Sequence, residues 1–300
     1  MLPPAVLLCF EDEMPLARKI ARAAGLSLGL LSSHVFPDGE IKLRLPPRLP
    51  PSVVVLRSLN NPNAKLLELL LTARTAQQLG AQHLTLVAPY LAYMRQDVAF
   101  APGEAVSQKI IGQHLADLFD AVITIDPHLH RVSSLQEAVP ACEALALSAA
   151  PLLSAFAVAQ CPDILLIGPD EESEQWITEA ARPHGLDHAV CHKIRHGDRH
   201  VDIALPAVDV TGRAVVLLDD IASSGHTLAQ AARLLRQAGA QSVDVAVTHA
   251  LFSGDALPLI VAAGVGRVWS TDSVVHSSNC VSIAGLVAEA LKPTLPDRMS

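Results

Sequence analysis

The stretch VVLLDDIASSGHT, residues 215–227, decides the fold of the second half of this 300-residue chain. Four apolar residues, enough for a short buried strand, end in the paired acids Asp219 and Asp220. A run of small residues then leads into the apolar periodicity of a helix. A strand, a small-residue loop and a helix in this order are typical of an α/β unit with a parallel sheet.

The loop after the two acids has the properties of a phosphate-binding site. Small residues between a strand and a helix leave several backbone N–H groups pointing outward, and the helix dipole adds positive potential there. Hydroxyl groups add further donors, and the predicted loop consists of Ser223, Ser224, Gly225, His226 and Thr227. An ordinary strand-to-helix turn with serine capping is the structural alternative.

The paired carboxylates restrict which phosphorylated molecule fits. Asp219 and Asp220 would repel a phosphate, so we expect them to face another part of the ligand. Carboxylates accept O–H bonds well, and sugar hydroxyls supply such donors. Sugar hydroxyls beside a phosphate describe a ribose 5-phosphate. The chain has no G-x-x-x-x-G-K-[ST] sequence and no complete G-x-G-x-x-G, so other nucleotide-binding loops have no motif here.

The rest of the chain continues the alternation of strands and helices. Short apolar runs predict strands, and a period of 3.6 residues predicts helices. The predicted strands are residues 6–10, 53–57, 84–88, 122–125, 164–167, 215–218, 243–248 and 268–270, and the predicted helices are residues 15–24, 64–79, 107–118, 173–182 and 228–238. This alternation implies parallel sheets covered by helices on both faces. The apolar stretch 144–159 is too short for a membrane span and contains Pro151, so we expect a buried helix and a turn there.

An internal repeat relates the two halves. TARTAQQLGAQ (residues 72–82) aligns with AARLLRQAGAQ (231–241) at a shift of 159, and LLCFED (7–12) aligns with LLIGPD (165–170) at a shift of 158. Two matches at nearly one shift indicate duplication of a half-chain unit.

The repeat predicts the domain organisation. A shift of 159 places Asn60 and Asn61 opposite Asp219 and Asp220, so the first half keeps the scaffold without the acids. We therefore predict a first domain at residues 1–145 with a degenerate phosphate loop. The second domain, residues 146–300, carries the ligand loop, and its last helix could pack on the first domain.

Composition narrows the possible functions. Half of the residues are hydrophobic, which suffices for two cores. The net charge of −8 disfavours nucleic-acid binding, which needs a positive field. The five cysteines include no C-x-x-C pair, which argues against a zinc site and against a disulfide framework. We therefore expect the protein to work in a reducing cytoplasm. The amino-terminal residues lack the pattern of a signal peptide, and no membrane association is expected.

Motifs along most of the chain resemble those of one family. VVLLDDIASSGHT is similar to the phosphoribosyl pyrophosphate-binding motif of type I phosphoribosyltransferases and of ribose-phosphate pyrophosphokinases. The other motifs occur in the order of the pyrophosphokinases: FPDGE (36–40), PYLAYMRQD (89–97), APGEAVS (101–107), DPH (126–128), GPD (168–170), HKIR (192–195) and THALFSG (248–254). The APGEAVS form resembles archaeal-type members. The resemblance implies two tandem type I phosphoribosyltransferase-like domains, each a mainly parallel sheet flanked by helices.

The resemblance also implies a reaction and its catalytic residues. Family members transfer pyrophosphate from ATP to the C1 hydroxyl of ribose 5-phosphate and release AMP. Lys193 and Arg195 would be the catalytic cations, on a loop that closes over the phosphates and excludes water. Mg²⁺ would be the cofactor, held by Asp170 and His128. Imidazole is an uncommon Mg²⁺ ligand, so a contact of His128 through water or directly to phosphate stays open.

ATP recognition and assembly follow from the same resemblance. The implied ATP-binding residues are Phe36, Asp38, Glu40, Arg95, Gln96 and His128. In the family the FPDGE loop comes from a neighbouring subunit and helps to seat adenine. The resemblance therefore implies self-association, at least a homodimer, with a hexamer as the alternative.

The chain departs from the family pattern at several positions. Ser223 stands where an acid is common, and His226 stands where a second glycine is usual. Residues 98–100 replace a basic run, which puts regulation by phosphate and nucleotides in doubt more than the chemistry. Two other functions stay open: a non-catalytic regulatory paralogue, and a phosphoribosyltransferase that consumes phosphoribosyl pyrophosphate.

Overall fold

The computed structural model describes residues 4–129, 131–140, 142–196 and 200–294, and the side chains of residues 193–196 and 200–202 lie outside that description. The chain divides into two compact units. The first unit comprises residues 1–147 and 283–300, and the second comprises residues 148–282. The second unit is therefore inserted between two segments of the first.

The first unit is built on a parallel sheet. Its strands are β1 (Ala5–Cys9), β2 (Ser27–Leu30), β3 (Ser32–Val35), β4 (Ile41–Arg44), β5 (Ser52–Leu56), β6 (His83–Ala88), β7 (Ala121–Ile125) and β8 (Glu143–Leu147). Its helices begin with α1 (Met14–Ala24), α2 (Pro62–Gln78), α3 (Ser107–Ala116) and α4 (Leu135–Ala138). The sheet order is β2-β1-β5-β6-β7-β8, with every pairing parallel. Strands β3 and β4 form a separate antiparallel hairpin.

The second unit repeats this plan. Its strands are β9 (Ile164–Gly168), β10 (His188–Val190), β11 (His192–His196), β12 (His200–Ala204), β13 (Ala214–Ala222), β14 (Ser242–Ala250), β15 (Val268–Thr271) and β16 (Asn279–Val281). Its helices are α5 (Ala150–Gln160), α6 (Glu174–Ala181), α7 (His226–Gln237) and α8 (Ala256–Ala262). The parallel order is β10-β9-β13-β14-β15-β16, and β11 and β12 form an antiparallel hairpin. A further helix, α9 (Ala284–Leu291), belongs to the first unit and packs against α1.

The two units share one topology. Both sheets have the same strand order along the chain, and both insert a hairpin between the second and the third strand of the sheet. Every residue of β1, β5, β7 and β9 is buried, which is why these strands read as continuous apolar runs. The prediction of two α/β domains with mainly parallel sheets is confirmed.

Two local predictions were wrong in part. Residues 144–159, expected to form a helix and a turn, do contain the helix α5 from Ala150 onward, but residues 144–147 belong to strand β8. Proline is tolerated in the first turn of a helix but not in its interior, so the helix begins at Ala150, just before Pro151, and does not extend back into residues 144–147. Strand β13 was expected to end at Leu218 but continues to Ala222, because its pairing with β14 extends through both acids. No helix within the described ranges combines the length and apolar character needed to cross a bilayer.

Candidate active site

Strand β13 runs further than its neighbour β9 at the carboxyl edge of the second sheet. The pairing with β9 extends to Leu217, whereas the pairing with β14 extends to Ala222. The pairing of β13 with β9 therefore ends before the two acids, and the pairing with β14 continues past them. Ligands of open α/β sheets bind outside the carboxyl ends of the strands, and the end of β13 is such a place.

Three carboxylates meet at this edge. Asp220 is buried, Asp219 is half-buried, and Asp219 Oδ1 accepts a hydrogen bond of 3.1 Å from the Asp220 backbone N–H. Burial, followed by the charges of Asp220 and of Asp170 beyond the end of β9, raises the pKa of Asp219 well above its ordinary value. The structure thus brings the GPD motif and the paired acids together. Carboxylates whose charges oppose one another in this way favour a cation or hydroxyl donors nearby.

Asp170 is also fixed by the turn that follows β9. Its Oδ1 accepts a 3.0 Å hydrogen bond from the Glu172 N–H, and its carbonyl accepts one of 2.6 Å from Ser173 Oγ. A Cβ on Gly168 would lie 2.1 Å from Ser173 Oγ, so this turn needs glycine. One carboxylate oxygen of Asp170 is therefore committed to the turn. Within the described residues, no group of three or more His, Cys, Asp or Glu side chains is placed to hold a metal.

The predicted phosphate loop is partly helical. Residues 223–225 connect β13 to α7, whereas His226 and Thr227 form the first turn of α7. Gly225 has a φ of +74°, and a Cβ there would lie 3.0 Å from the Ala256 carbonyl oxygen. His226 is not among the residues with positive φ, which explains why it can replace a glycine. The first N–H groups of a helix have no partner within the helix, so they are available to an anion.

The two predicted catalytic cations lie in a hairpin of the second unit. Lys193 and Arg195 belong to β11, paired with Ile203 and Val201 of β12. Their side chains lie outside the described part of the structure. The neighbouring His192 places Nδ1 3.1 Å from Glu171 Oε1, in the residue that follows Asp170.

The FPDGE motif forms the turn of the matching hairpin in the first unit. The Phe36 N–H donates to the Glu40 carbonyl at 2.8 Å, and the Glu40 N–H donates to Asp38 Oδ1 at 3.2 Å. Gly39 has a φ of +92°, as such a turn requires. The Phe36 ring is 38% exposed and contacts His34 edge to face at 4.9 Å. This exposed ring is accessible to a ligand or to another subunit.

The remaining predicted ATP residues follow neighbouring strands of the first sheet. Arg95 and Gln96 come after β6, and His128 comes after β7, so they emerge from the same edge. Arg95 is exposed and His128 is half-buried. The next residue, Asp97, is buried, and its Oδ1 accepts a 2.6 Å hydrogen bond from Arg131 Nη1. This ion pair anchors the Arg95–Gln96 segment to the loop after β7.

Strand register refines where the repeat lost its acids. Leu56 pairs with Cys9 of β1, and Leu217 pairs with Ile167 of β9. Because the shift of 158 relates Cys9 to Ile167, Leu56 is the counterpart of Leu217. Ser58, two residues on, therefore stands where the second unit has Asp219, whereas the helix-based shift of 159 places Asn60 there. The difference arises because the segment between Leu56 and the aligned helix is two residues longer than its counterpart.

The first unit fills the matching edge of its own sheet with a buried ionic cluster, which the sequence did not reveal. Arg57, 5% exposed at the end of β5, donates to both carboxylate oxygens of Asp12 at 2.8 and 2.9 Å and also pairs with Glu68. Lys65 donates to the Ser58 carbonyl at 2.6 Å. A charged residue directly after the apolar run Val53–Leu56 is the one signal that could have indicated this cluster.

The two sheets, their hairpins and the single loop preceded by acids define a two-domain protein of the phosphoribosyltransferase-like class. A family model described as the N-terminal domain of ribose phosphate pyrophosphokinase matches residues 5–118, and one described as the phosphoribosyl synthetase-associated domain matches residues 203–293. The chain belongs to the ribose-phosphate pyrophosphokinase family, whose members are diphosphotransferases.

Relatives match over nearly the full chain. A ribose-phosphate pyrophosphokinase of Methanopyrus kandleri is 35% identical over 291 residues, which cover 96% of this chain and 98% of the relative. Ribose-phosphate pyrophosphokinase 2 of Archaeoglobus fulgidus is 35% identical over 274 residues, 91% and 95% of the two chains. The crystal structure of phosphoribosylpyrophosphate synthetase from Mycobacterium smegmatis has a TM-score of 0.83 at 23% identity, covering 97% of this chain and 99% of the other. The resemblance to archaeal members predicted from the motifs is confirmed.

Proposed function

We propose that this chain transfers the diphosphoryl group of ATP to the C1 hydroxyl of ribose 5-phosphate, giving phosphoribosyl pyrophosphate and AMP. The observation that carries the proposal is the pair Asp219 and Asp220 at the end of β13, beyond its pairing with β9 and directly before the loop into α7. Family membership supports the reaction, and we assign it to this site. The cytoplasmic location of the protein remains a prediction from its sequence.

The acceptor sugar is assigned to the second unit. The N–H groups at residues 223–227 and the hydroxyls of Ser223, Ser224 and Thr227 bind the 5-phosphate. Asp219 and Asp220 accept hydrogen bonds from ribose hydroxyls, which are the donors that carboxylates bind well. Separating the carboxylates from the phosphate along the strand keeps like charges apart. The bound sugar is thereby oriented for reaction at C1.

The acidic edge fits Mg²⁺. The raised pKa of Asp219, caused by burial and by the neighbouring carboxylates of Asp220 and Asp170, supports a cation at this edge. Asp170 is the protein ligand that we assign, and His128 is assigned to ATP or metal contact in the first unit. Mg²⁺ usually keeps several waters and takes one or two carboxylates plus substrate phosphates, so a preformed three-residue site is not required. When bound, the ion neutralises phosphate charge during transfer.

Lys193 and Arg195 are assigned to the transferring group. Charge spreads over the equatorial oxygens of a phosphoryl group in the transition state, and nearby cations stabilise it there. A hairpin is an element that can approach a bound ligand without disturbing the sheet. In this chain both residues lie on β11, outside the parallel sheet.

ATP is assigned to residues of the first unit, and the FPDGE turn to the ATP of a neighbouring subunit. The exposed Phe36 ring offers a stacking surface for adenine, and Asp38 and Glu40 offer acceptors. Arg95 supplies a cation and Gln96 an amide at the edge formed by β6 and β7. Self-association, at least as a homodimer, follows from this assignment.

The proposal is tested by product analysis. The protein is incubated with ATP, Mg²⁺ and ribose 5-phosphate, and AMP and phosphoribosyl pyrophosphate are expected in equal amounts. ADP as the product would contradict diphosphoryl transfer. Consumption of phosphoribosyl pyrophosphate with a nucleobase would instead identify a phosphoribosyltransferase, and absence of any turnover would identify a regulatory paralogue.

One substitution tests the assignment of the cations. Lys193→Ala is expected to lower kcat about 100-fold or more, because a positioned charge on the transferring group is lost, with ribose 5-phosphate binding retained. Lys292→Ala, at an exposed lysine paired with Glu289 on α9, is the matched control and should leave kcat unchanged. Loss of ribose 5-phosphate binding in Lys193→Ala, measured by calorimetry, would place this lysine in a different role.

A further inference from the structure

A buried cluster of hydroxyl groups lies where β14 and β15 end in the second unit. Its members are at most 2% exposed: Thr248, His249, Thr271 and Ser273. The Thr248 carbonyl accepts hydrogen bonds from Thr271 Oγ1 at 2.7 Å and from Ser273 Oγ at 2.8 Å. His249 Nδ1 lies 2.9 Å from Ser273 Oγ. The side chains of Thr271, the last residue of β15, and of Ser273 thus hold one peptide of the THALFSG motif.

Ser273 Oγ contacts three polar groups. It lies 2.8 Å from the Thr248 carbonyl oxygen, 2.9 Å from Thr271 Oγ1 and 2.9 Å from His249 Nδ1. A serine hydroxyl donates one hydrogen bond and can accept others, so it can pair with either tautomer of the imidazole. Ser273 therefore binds the side chain of His249 as well as the carbonyl that precedes it.

The same motif supports the start of the phosphate loop. The backbone N–H groups of Leu251 and Phe252 donate to the Ala222 carbonyl at 3.1 and 2.8 Å, and the Ser253 N–H donates to the Ser223 carbonyl at 3.0 Å. Phe252 has a φ of +33°, an uncommon conformation for a non-glycine residue that its surroundings must enforce. A shift of residues 248–249 would reach Ser223 through these three hydrogen bonds.

The first unit has a different arrangement at this place. The pairings of β6 with β7 and of β14 with β15, together with the repeat, place Ile125 and Pro127 at the positions of Thr271 and Ser273. Neither residue has a hydroxyl group, and the Pro89 carbonyl, the counterpart of that of Thr248, accepts instead from Thr124 Oγ1 at 3.4 Å. The arrangement of Thr271 and Ser273 therefore accompanies the half of the molecule that has the acids and the phosphate loop, although both sheets have the same strand order.

We propose that His249 and Ser273 are positioning residues for the ribose 5-phosphate site. They hold the carboxyl end of β14 so that residues 251–253 set the position of the phosphate loop. The inference rests on the proposed function, because it presumes that the loop binds the 5-phosphate. It assigns to Ser273, which belongs to no recognised motif of the sequence, a specific effect on one of two substrates.

Steady-state kinetics of the full chain test the inference. Ser273→Ala is expected to raise the KM for ribose 5-phosphate about 10-fold, the order of effect of leaving a buried polar group unsatisfied, with kcat and the KM for ATP changed less than about 2-fold. Ser154→Ala is the matched control, because Ser154 is a buried serine of the same unit whose Oγ donates to Pro151 on α5. That variant should leave both KM values unchanged.

Variants at His249 provide a second test that does not depend on Ser273. His249→Asn keeps an amide that can pair with Ser273 Oγ and should retain the wild-type KM for ribose 5-phosphate, whereas His249→Leu removes the polar group and should raise this KM. Equal kinetics for His249→Asn and His249→Leu, or equal losses toward both substrates, would overturn the inference. If the wild type itself forms no phosphoribosyl pyrophosphate, the proposed function fails instead.

Discussion

The surroundings of the Asp219 carboxyl group disfavour its ionised form unless a ligand is bound. Burial and two nearby carboxylates raise its pKa, so the folded, unliganded protein keeps a proton that the unfolded chain releases. The free energy of unfolding therefore falls as pH rises from the ordinary aspartate pKa to the raised one. A side chain whose ionisation lowers the stability of the fold is expected in a binding site rather than at a purely structural position.

Asp219→Asn should separate stability from function. Removing one of the three charges should raise the melting temperature of the unliganded protein at pH 7.5, while the loss of a charged acceptor raises the KM for ribose 5-phosphate about 10-fold or more. Calorimetry and steady-state kinetics measure the two effects. Asp209→Asn, at an exposed aspartate whose Oδ1 accepts from the Thr211 N–H, should leave this KM unchanged and should not raise the melting temperature. A lower melting temperature for Asp219→Asn would contradict this account of the acidic edge.

Glu13 gives the first unit its own dependence on pH. Burial raises its pKa to about 7, even though Arg57 and the Ser58 N–H favour the ionised form. The folded protein therefore binds more protons than the unfolded chain between about pH 4.5 and 7. Within this window the contribution of Glu13 to the free energy of unfolding decreases as pH rises, and it stays low at higher pH.

Glu13→Gln should abolish this dependence. The amide oxygen can still accept the hydrogen bond from the Ser58 N–H, and no buried charge forms at high pH. We expect the variant to melt about 2–4 °C above the wild type at pH 8, the shift for about 1 kcal/mol in a domain of this size, and at the same temperature at pH 5. Melting curves across this pH range provide the measurement. A constant difference at all pH values would assign the effect to packing.

At the scale of elements, the turn from β13 into α7 depends on Gly225 for two reasons. Its φ of +74° disfavours any side chain, and a Cβ would also press on the Ala256 carbonyl at 3.0 Å. Gly212 has a similar φ of +70° but no atom within 4 Å of such a Cβ. Gly225→Ala should therefore raise the KM for ribose 5-phosphate about 10-fold or more, because the loop must move, whereas Gly212→Ala should cost stability alone. Similar kinetics for both variants would mean that the loop tolerates this displacement.

Elements with a buried apolar run could be predicted from the sequence, and those without one could not. Strands such as β5 and β9 are covered on both faces, so their residues are almost all aliphatic. Hairpin strands β3 and β4 are largely exposed and polar, and they were missed. The end of β13 was missed because its two acids interrupt the apolar run while its pairing with β14 continues.

The candidate site could be predicted where it is local in sequence. Asp219 and the residues of the loop lie within one motif, and their chemistry follows from their order. The approach of Asp170 to Asp219 depends on the neighbouring positions of β9 and β13, which the sequence does not state. Ser273 could not be found at all, because its role depends on a contact with a carbonyl 25 residues away.

The whole molecule is predicted to act as an assembly, and mixed subunits can test this. Phe36→Ala damages the FPDGE turn, and Lys193→Ala damages the transfer step, so each variant alone should be nearly inactive. If the turn serves the active site of a partner, hybrid dimers contain one site with both residues intact. Random pairing of equal amounts should then restore about a quarter of the wild-type activity. No recovery after mixing and subunit exchange would indicate that the turn acts within its own subunit.

The insertion of the second unit into the first also sets an order of events during synthesis. A ribosome completes residues 148–282 before it makes α9, the helix that packs against α1. The unit with the acids and the phosphate loop can therefore fold while the other still lacks a helix of its own. Until α9 has emerged, part of α1 is uncovered, and this nascent surface is where we expect a chaperone to bind the growing chain.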